Sequence, residues 1–375
     1  MTPGLGGAKF SGAVLDLADI EPYLTERGLL SARAVVDGGL RVADVSRLNR
    51  VFLVTAEDER CLILKVGERP EAGVPREARV LQRLWSLGDE ALSAFVPAVV
   101  GYDEAERVLI LEAAPDARDL ARHHAGGRFS RVLAGQAGQA LARLHELSPG
   151  VLRGLSGEVD PTFALRVHEP DWEAISDMSA AAIELTRIIQ SSDELCTRLD
   201  DLLSSWSEES VIHGDVRWDN CIAVRDAGTH GWTRLRLIDW EHSAPGDPSL
   251  DIGAFLGEYL RAWLQSIPIV DPEDPGRLLG NARLPLRRMR PALRAFWDAY
   301  TRHRRSCPGE LGRRLHRATL FAASSVLMVA LEQAQTLAEL RPGVLGLVRL
   351  SENILRRPDE AADHLLGFGT SRISA

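Results

Sequence analysis

Apolar positions change period along this chain, and the change divides it. Leu15, Leu17, Ile20, Tyr23 and Leu24 recur at helical spacing within Val14–Leu30, which predicts a short helix closed by turn residues at Glu26–Gly28. The pattern then shortens to two. GGLRVADVS predicts a strand, and NRVFLVTAEDERCLILKVG predicts a hairpin of Val51–Thr55 and Cys61–Val66 around a polar AEDE turn. PREARVLQRLWSL returns to helical spacing from Pro75, with Ala78, Leu81 and Leu84 on one face. Phe95–Tyr102 and Arg107–Glu112 predict two further strands. Beyond Ala113 helical spacing dominates, in Ala134–Leu147, in Ala180–Ser204 and in nearly everything after Asp251. The exceptions are two short β segments, VIHGDVRWDNCI and LRLIDWEHSAPGDPSLDIGAF. The expectation is an α+β protein with a small β-rich N-terminal lobe and a mainly helical C-terminal lobe meeting near residues 112–116, without internal repeat.

Composition adds limits. The 375 residues suffice for two lobes with ample core, and a formal charge of −9 argues against a nucleic-acid binder. The four cysteines, Cys61, Cys196, Cys221 and Cys307, lie far apart with no CxxC pair, as in a protein of a reducing compartment. Cys221 reads as a small buried hydrophobe. The first twelve residues show no basic segment followed by an apolar core, and residues 1–12 are expected to form a flexible tail. The longest apolar run, Ala318–Leu331, is broken by Thr and Ser and predicts a buried helix and not a membrane span. A cytoplasmic protein without membrane contact is expected.

The two β segments carry the chemistry. Each delivers a carboxylate at its end, Asp215 after one and Asp239 after the other, with Asn220 between. Asp and Asn are also ordinary turn formers. What separates the two readings is the order His213-Gly214-Asp215-Val216-Arg217-Trp218-Asp219-Asn220, then Ile238-Asp239-Trp240-Glu241, then Asp251 opening a helix. This order, after a β-rich lobe, resembles the aminoglycoside phosphotransferase/choline kinase branch of the protein-kinase-like fold. The resemblance covers roughly residues 46–255. It implies a two-lobed kinase fold, with residues 13–113 as the nucleotide-binding lobe and 114–375 as the lobe carrying catalytic loop, metal motif and acceptor-binding helices.

The resemblance also implies roles. Asp215 would orient and deprotonate an acceptor hydroxyl, and Asn220 with Asp239 would hold Mg2+ against the phosphates of ATP, with GTP as the alternative nucleotide. His213 would fix the loop more than move a proton, and Asp251 would tie the loop down. Arg217 either approaches the transferred phosphate or makes a surface ion pair, and Glu241 either assists the metal or caps a turn. Lys65, the cation of an alternating strand, would hold the α- and β-phosphates and pair with Glu77, Glu71 being the alternative partner. The hairpin ADVSRLNRVF lacks the glycines of the protein-kinase phosphate loop, so Ser46, Asn49 and Arg47 would have to serve there. Glu112 to Ala114 would form the hinge that meets the adenine edge.

For the acceptor, Asp171, Trp172, Glu173, Glu258, Tyr259, Trp263, Asp298 and Tyr300 suit a cationic or sugar-like molecule, while Trp263 and Trp297 equally suit a helix core. The run RLPLRRMRPALR, with five arginines and no acid, opens a different acceptor class. In this branch, Ser/Thr-containing precursor peptides of natural-product biosynthesis are also phosphorylated, beside a partner lyase. The expected function is therefore an O-phosphotransferase acting on a hydroxyl of a small molecule or of a peptide. The glycine-free loop motivates an alternative, a kinase-like binding or scaffold module without turnover.

Overall fold

The computed structural model describes residues 15–30, 40–46, 50–56, 61–68, 73–155, 157, 159–225, 231–268, 281–304 and 307–369. The expected tail at 1–12 lies outside them, as do Arg47, Asn49 and Glu71. The chain divides into two compact units. The first comprises Met1–Arg118, Val151–Val159 and Ile222–Ser243, and the second the remainder. A contiguous division at residue 113 is therefore not what the contacts give: the segment Ile222–Ser243 belongs with the N-terminal sheet.

The first unit is built on five antiparallel strands, β1 (Arg41–Asp44), β2 (Arg50–Thr55), β3 (Cys61–Val66), β4 (Val99–Asp103) and β5 (Val108–Ala113), in the order β1-β2-β3-β5-β4. Strand alternation sends Leu62, Leu64 and Val66 of β3 to one face, where they join Phe52, Val54, Val108 and Ile110. Ile20, Tyr23 and Leu24 of α1 (Ile20–Glu26) bury against this set. The helix is shorter than the periodicity over 14–30 predicts, and it is preceded by a single 3-10 turn at Leu17–Asp19. Tyr23 donates to Asp103 (3.1 Å), which also accepts from Arg27, so the helix is latched to the end of β4. α2 (Val74–Ser86) follows β3, and its apolar Val74, Ala78, Val80, Leu81 and Leu84 are buried. The hairpin of β7 (Cys221–Arg225) and β8 (Trp232–Leu237) completes this unit, Leu237 N–H donating to the Phe95 carbonyl at 2.8 Å.

The second unit is helical. Its main elements are α3 (Arg131–Leu144), α4 (Ala180–Gln190), α5 (Asp193–Ser204), α6 (Pro248–Gln265), α7 (Leu286–His303), α8 (Pro308–Gln335) and α9 (Pro342–Arg356). The continuous periodicity over 180–204 is in fact two helices, because Ser192 leaves helical geometry and caps α5, its hydroxyl accepting from Leu195 N–H. β6 (Ser210–Ile212) pairs antiparallel with β9 (Ala244–Gly246).

α8 exceeds the apolar run that marks it and has the length and composition of a membrane span, yet 67% of its most apolar window is buried inside the protein. It packs against α4, α6 and α9, as a core helix does. Close helix approach elsewhere rests on small residues. A Cβ on Gly138 of α3 would run into the Phe296 carbonyl of α7 and lie 3.1 Å from Tyr300 N.

Behind the segment that joins β6 to β7 sits a closed aromatic cluster. His124 lies 4.6 Å from Trp218 and 5.0 Å from Phe129, and Trp218 lies 4.8 Å from Tyr259, centroid to centroid. His124 is 1% exposed and neither ring nitrogen meets a hydrogen-bond partner among the described residues. Burial, with the neighbouring His123 adding to it, lowers the His124 pKa to about 3.

Two measurements test these packing arguments. Gly138→Ala improves helix propensity by roughly 1 kcal/mol, but the close approach to α7 outweighs it, so urea unfolding should show a net loss of about 1–3 kcal/mol. For His124 the sign is fixed by linkage. Below about pH 6.5 the unfolded chain takes up a proton that the folded chain refuses until about pH 3. The protein should therefore lose roughly 2 kcal/mol from this group between pH 7.5 and pH 5.0. His124→Phe should unfold in urea with that much less pH dependence; an unchanged dependence would refute the assignment.

Candidate active site

In the first unit, alternation along β3 puts Lys65 on the face opposite Leu64 and Val66, beneath α2. Its ammonium donates to both oxygens of Glu77, at 2.9 and 2.8 Å, and to Asp239. Lys65 is 5% exposed and Glu77 1%. Burial alone would favour the neutral amine; the charges of Glu77 and Asp239 reverse that and raise the Lys65 pKa above the ordinary lysine value. Burial pushes Glu77 upward, against the pull of Lys65. The pair expected from the twelve-residue spacing is thus formed.

Asp239 is held in the left-handed region, at φ 63 and ψ 64, a conformation that costs a non-glycine residue roughly 1–2 kcal/mol. α2 secures the turn from both sides. Glu77 accepts from Trp240 N–H at 3.3 Å, while Arg76 donates to the carbonyls of Glu241 (3.0 Å) and Ser243 (2.7 Å). Trp240 is fully buried, its indole N–H donating to the Leu237 carbonyl at 2.8 Å. The Asp239 side chain remains 38% exposed.

Ser46 is engaged locally. Its hydroxyl accepts from Val51 N–H at 2.9 Å, and its own N–H donates to Asp44 at 2.9 Å. These bonds tie Ser46 locally to Val51 and Asp44. At the expected hinge, Glu112 N–H is taken by the Ala98 carbonyl (2.9 Å), and Ala114 accepts from Ala117 N–H at 3.4 Å.

In the second unit the His-Gly-Asp loop begins at the end of β6. Gly214 has φ +83, and this turn lets the N–H groups of both His213 and Gly214 reach one carboxylate, Asp251, at 2.7 and 2.9 Å. Asp251 is fully buried and also bonds His145 Nε2 at 3.0 Å. Burial raises its carboxyl pKa, but the His145 bond and the His213 contacts more than compensate and hold it below the usual range. His145 is kept neutral by burial, so Nε2–H donates to Asp251 and Nδ1 accepts from Tyr300 O–H at 3.1 Å. His213 is fully buried, and its Nδ1 accepts from Asp215 N–H at 3.3 Å. This fits a residue that shapes the loop.

Asn220 Nδ2 donates to the Asp215 carboxylate at 2.7 Å and to the Asp215 carbonyl at 3.0 Å, which turns its amide oxygen away from both. Arg217 resolves to the ion-pair reading: it donates to both oxygens of Glu332 on α8, at 2.9 and 3.0 Å. Cys221 is fully buried, and burial raises its thiol pKa, as a structural cysteine requires.

Most of the acceptor candidates are displaced. Tyr259 and Tyr300 are fully buried and Trp263 is 8% exposed, so they are core. Glu258 is 4% exposed and committed to Arg261 and to Trp218 N–H. Asp171 caps the short helix Trp172–Asp177, accepting from Ala174 N–H at 2.8 Å. Trp172 is 80% exposed, and Glu173 and Asp298 are exposed. Sequence reading missed His145, Glu332 and the loop-holding role of Glu258. Only His145 had a local signal, a lone histidine on the apolar helix ALARLHEL.

The 4-hydroxytryptamine kinase of Psilocybe cyanescens is 26% identical over 183 residues, 46% of this chain, and the chain spans about half (48%) of that curated relative's length. The crystal structure of choline kinase from Cryptosporidium parvum matches 96% of this chain and 100% of its own, at 14% identity and a TM-score of 0.50, a likeness of fold. Choline kinase from Streptococcus pneumoniae matches 90% of this chain and 99% of its own, at 15% identity and a TM-score of 0.49. The α+β, kinase-like fold expected from the motifs is the fold observed. Residues 40–305 match the phosphotransferase enzyme family, and the chain belongs to it.

Proposed function

We propose that this protein is an ATP-dependent O-phosphotransferase that moves the γ-phosphoryl group to a hydroxyl of a small molecule. The observation that carries the reading is the strained Asp239 bonded to the buried Lys65–Glu77 pair. Phosphoryl transfer needs positioning and charge neutralisation more than covalent help, and this cluster is an arrangement of charge set at a cost in stability. Lys65 would neutralise phosphate oxygens, with Glu77 fixing its ammonium.

Asp215 accepts from an amide and has no metal duty, which suits it to receive the acceptor's proton and to orient that oxygen. An oxygen donor set fits a hard divalent cation. Asp239 in the first unit offers a half-exposed carboxylate and Asn220 in the second an amide oxygen, each of the ligand type that Mg2+ takes. When bound, that ion offsets charge on the phosphates. Paired with Glu332, Arg217 would support the loop and not contact the transferred phosphate.

A small-molecule acceptor is favoured over a peptide. The relative's name, 4-hydroxytryptamine kinase, states a small hydroxyl acceptor for that protein. The arginine run that suggested a peptide is partly spent within the protein, Arg290 donating to the His364 carbonyl and Arg294 to the Gly367 carbonyl (3.3 Å). A lyase partner has no support beyond the peptide reading.

Thermal unfolding with Mg2+-ATP, with Mg2+-GTP and without nucleotide tests the proposal. A ligand at a hundred times its dissociation constant adds about 2.7 kcal/mol to the native state. The shift should require Mg2+ and vanish in Asp239→Ala. Asp215→Asn should keep the shift while ADP formation with a panel of small hydroxyl compounds falls about a thousandfold. Absence of any nucleotide shift in the unaltered protein would move the reading to a binding module; full turnover by Asp215→Asn would remove Asp215 from its role.

A further inference from the structure

Asp251 and Glu258 lie seven residues apart on α6, two turns of helix and therefore on one face. Both are buried carboxylates, and both accept backbone N–H groups of the same loop. Asp251 takes the N–H groups of His213 and Gly214, at the loop's start. Glu258 takes the N–H of Trp218 at 3.1 Å, just before Asn220. Asp215 lies between these two anchors, and Asn220, two residues past the second, bonds it.

Arg261, one turn further along α6, donates to Glu258 from Nε at 2.8 Å and from a terminal nitrogen at 2.9 Å. This fork fixes the carboxylate while one oxygen still reaches the loop. Behind α6, Gly253 and Gly257 sit directly on the backbone of α8: a Cβ on Gly257 would lie 3.0 Å from the Ala322 carbonyl oxygen. α8 in turn carries Glu332, which holds Arg217. The helix that presents the two anchors is therefore seated on a rigid neighbour.

We infer that Glu258 is a positioning residue for phosphoryl transfer: with Asp251 it forms a two-point clamp that sets where Asp215 stands. The inference rests on the kinase reading above for its consequence, though not for the clamp itself. Without Glu258, the Trp218 amide becomes a buried donor with no partner, and the second half of the loop is released while its start stays held by Asp251.

Hydrogen–deuterium exchange of the loop, nucleotide-dependent thermal shift and ADP formation, measured on the full chain, test the clamp and its consequence separately. In Glu258→Ala the Trp218 amide should exchange about tenfold faster, the magnitude expected for one lost hydrogen bond. Turnover should fall about tenfold or more while Mg2+-ATP affinity stays within about threefold. Glu258→Gln retains an acceptor oxygen and should recover most of both losses. Unchanged exchange in Glu258→Ala, nucleotide affinity falling in step with turnover, or a Gln variant as impaired as the Ala variant would each overturn the inference. Should Glu258→Ala not fold, Arg261→Met takes its place: it should speed exchange at Trp218 severalfold, roughly as expected for a weakened bond, and no change would overturn the clamp. A parent protein that forms no ADP with any acceptor refutes the kinase reading, and loop exchange alone then decides the clamp.

Discussion

The ionised carboxylate of Asp251, sealed from water, is the constraint on which the second unit depends. A buried charge is tolerated only when its hydrogen-bonding capacity is filled, and here two loop amides and an imidazole fill it. Each donor is delivered by a different element. Gly214 must adopt positive φ for the loop amides to converge, α3 must place His145, and α7 must place Tyr300 to fix the tautomer of His145. The close contact of Gly138 with Phe296 and Tyr300 serves the same end, because it sets the approach of the two helices that bring His145 and Tyr300 together. Helix packing and loop geometry are thus one problem in this unit.

The first unit follows the same logic with the sign reversed. There a cation, Lys65, is buried, and two carboxylates from different elements satisfy it. Glu77 holds the ammonium with both oxygens and the turn at Trp240 with one, so a single side chain couples β3 to the segment carrying Asp239. That segment lies more than a hundred residues away in sequence, which explains why residues 222–243 belong to a unit otherwise formed before residue 160.

Much of this was legible in the sequence, for a physical reason. Strand alternation, the His-Gly-Asp loop, the Ile-Asp-Trp-Glu turn and the Lys65–Glu77 spacing are local patterns, and local patterns survive being read one residue after another. Partners distant in sequence do not. Nothing in the neighbourhood of Arg217 announces Glu332, 115 residues on, and a surface pairing stood beside a phosphate contact until the structure separated them. Tyr259, Trp263 and Tyr300 show the same limit from the other side. An aromatic residue on a helix suits a ligand or a core equally well, and only burial distinguishes the two.

Glu258 sharpens the point, because chemistry alone could not have assigned it. An acid beside aromatic residues is what a cationic acceptor would want, and it is equally what a buried loop amide needs. The choice is decided by commitment: both oxygens are engaged by Arg261, and one of them also holds Trp218. The same criterion bears on enzyme against scaffold. A module that only binds has no need to hold Asp239 in left-handed geometry over a buried ion pair, since relaxing either feature would favour stability. Loop amides gathered on buried carboxylates and a strained aspartate fixed by a buried lysine are costs that persist where position is what the protein requires. Position is the larger part of what phosphoryl transfer asks of a protein, and this favours turnover over binding alone.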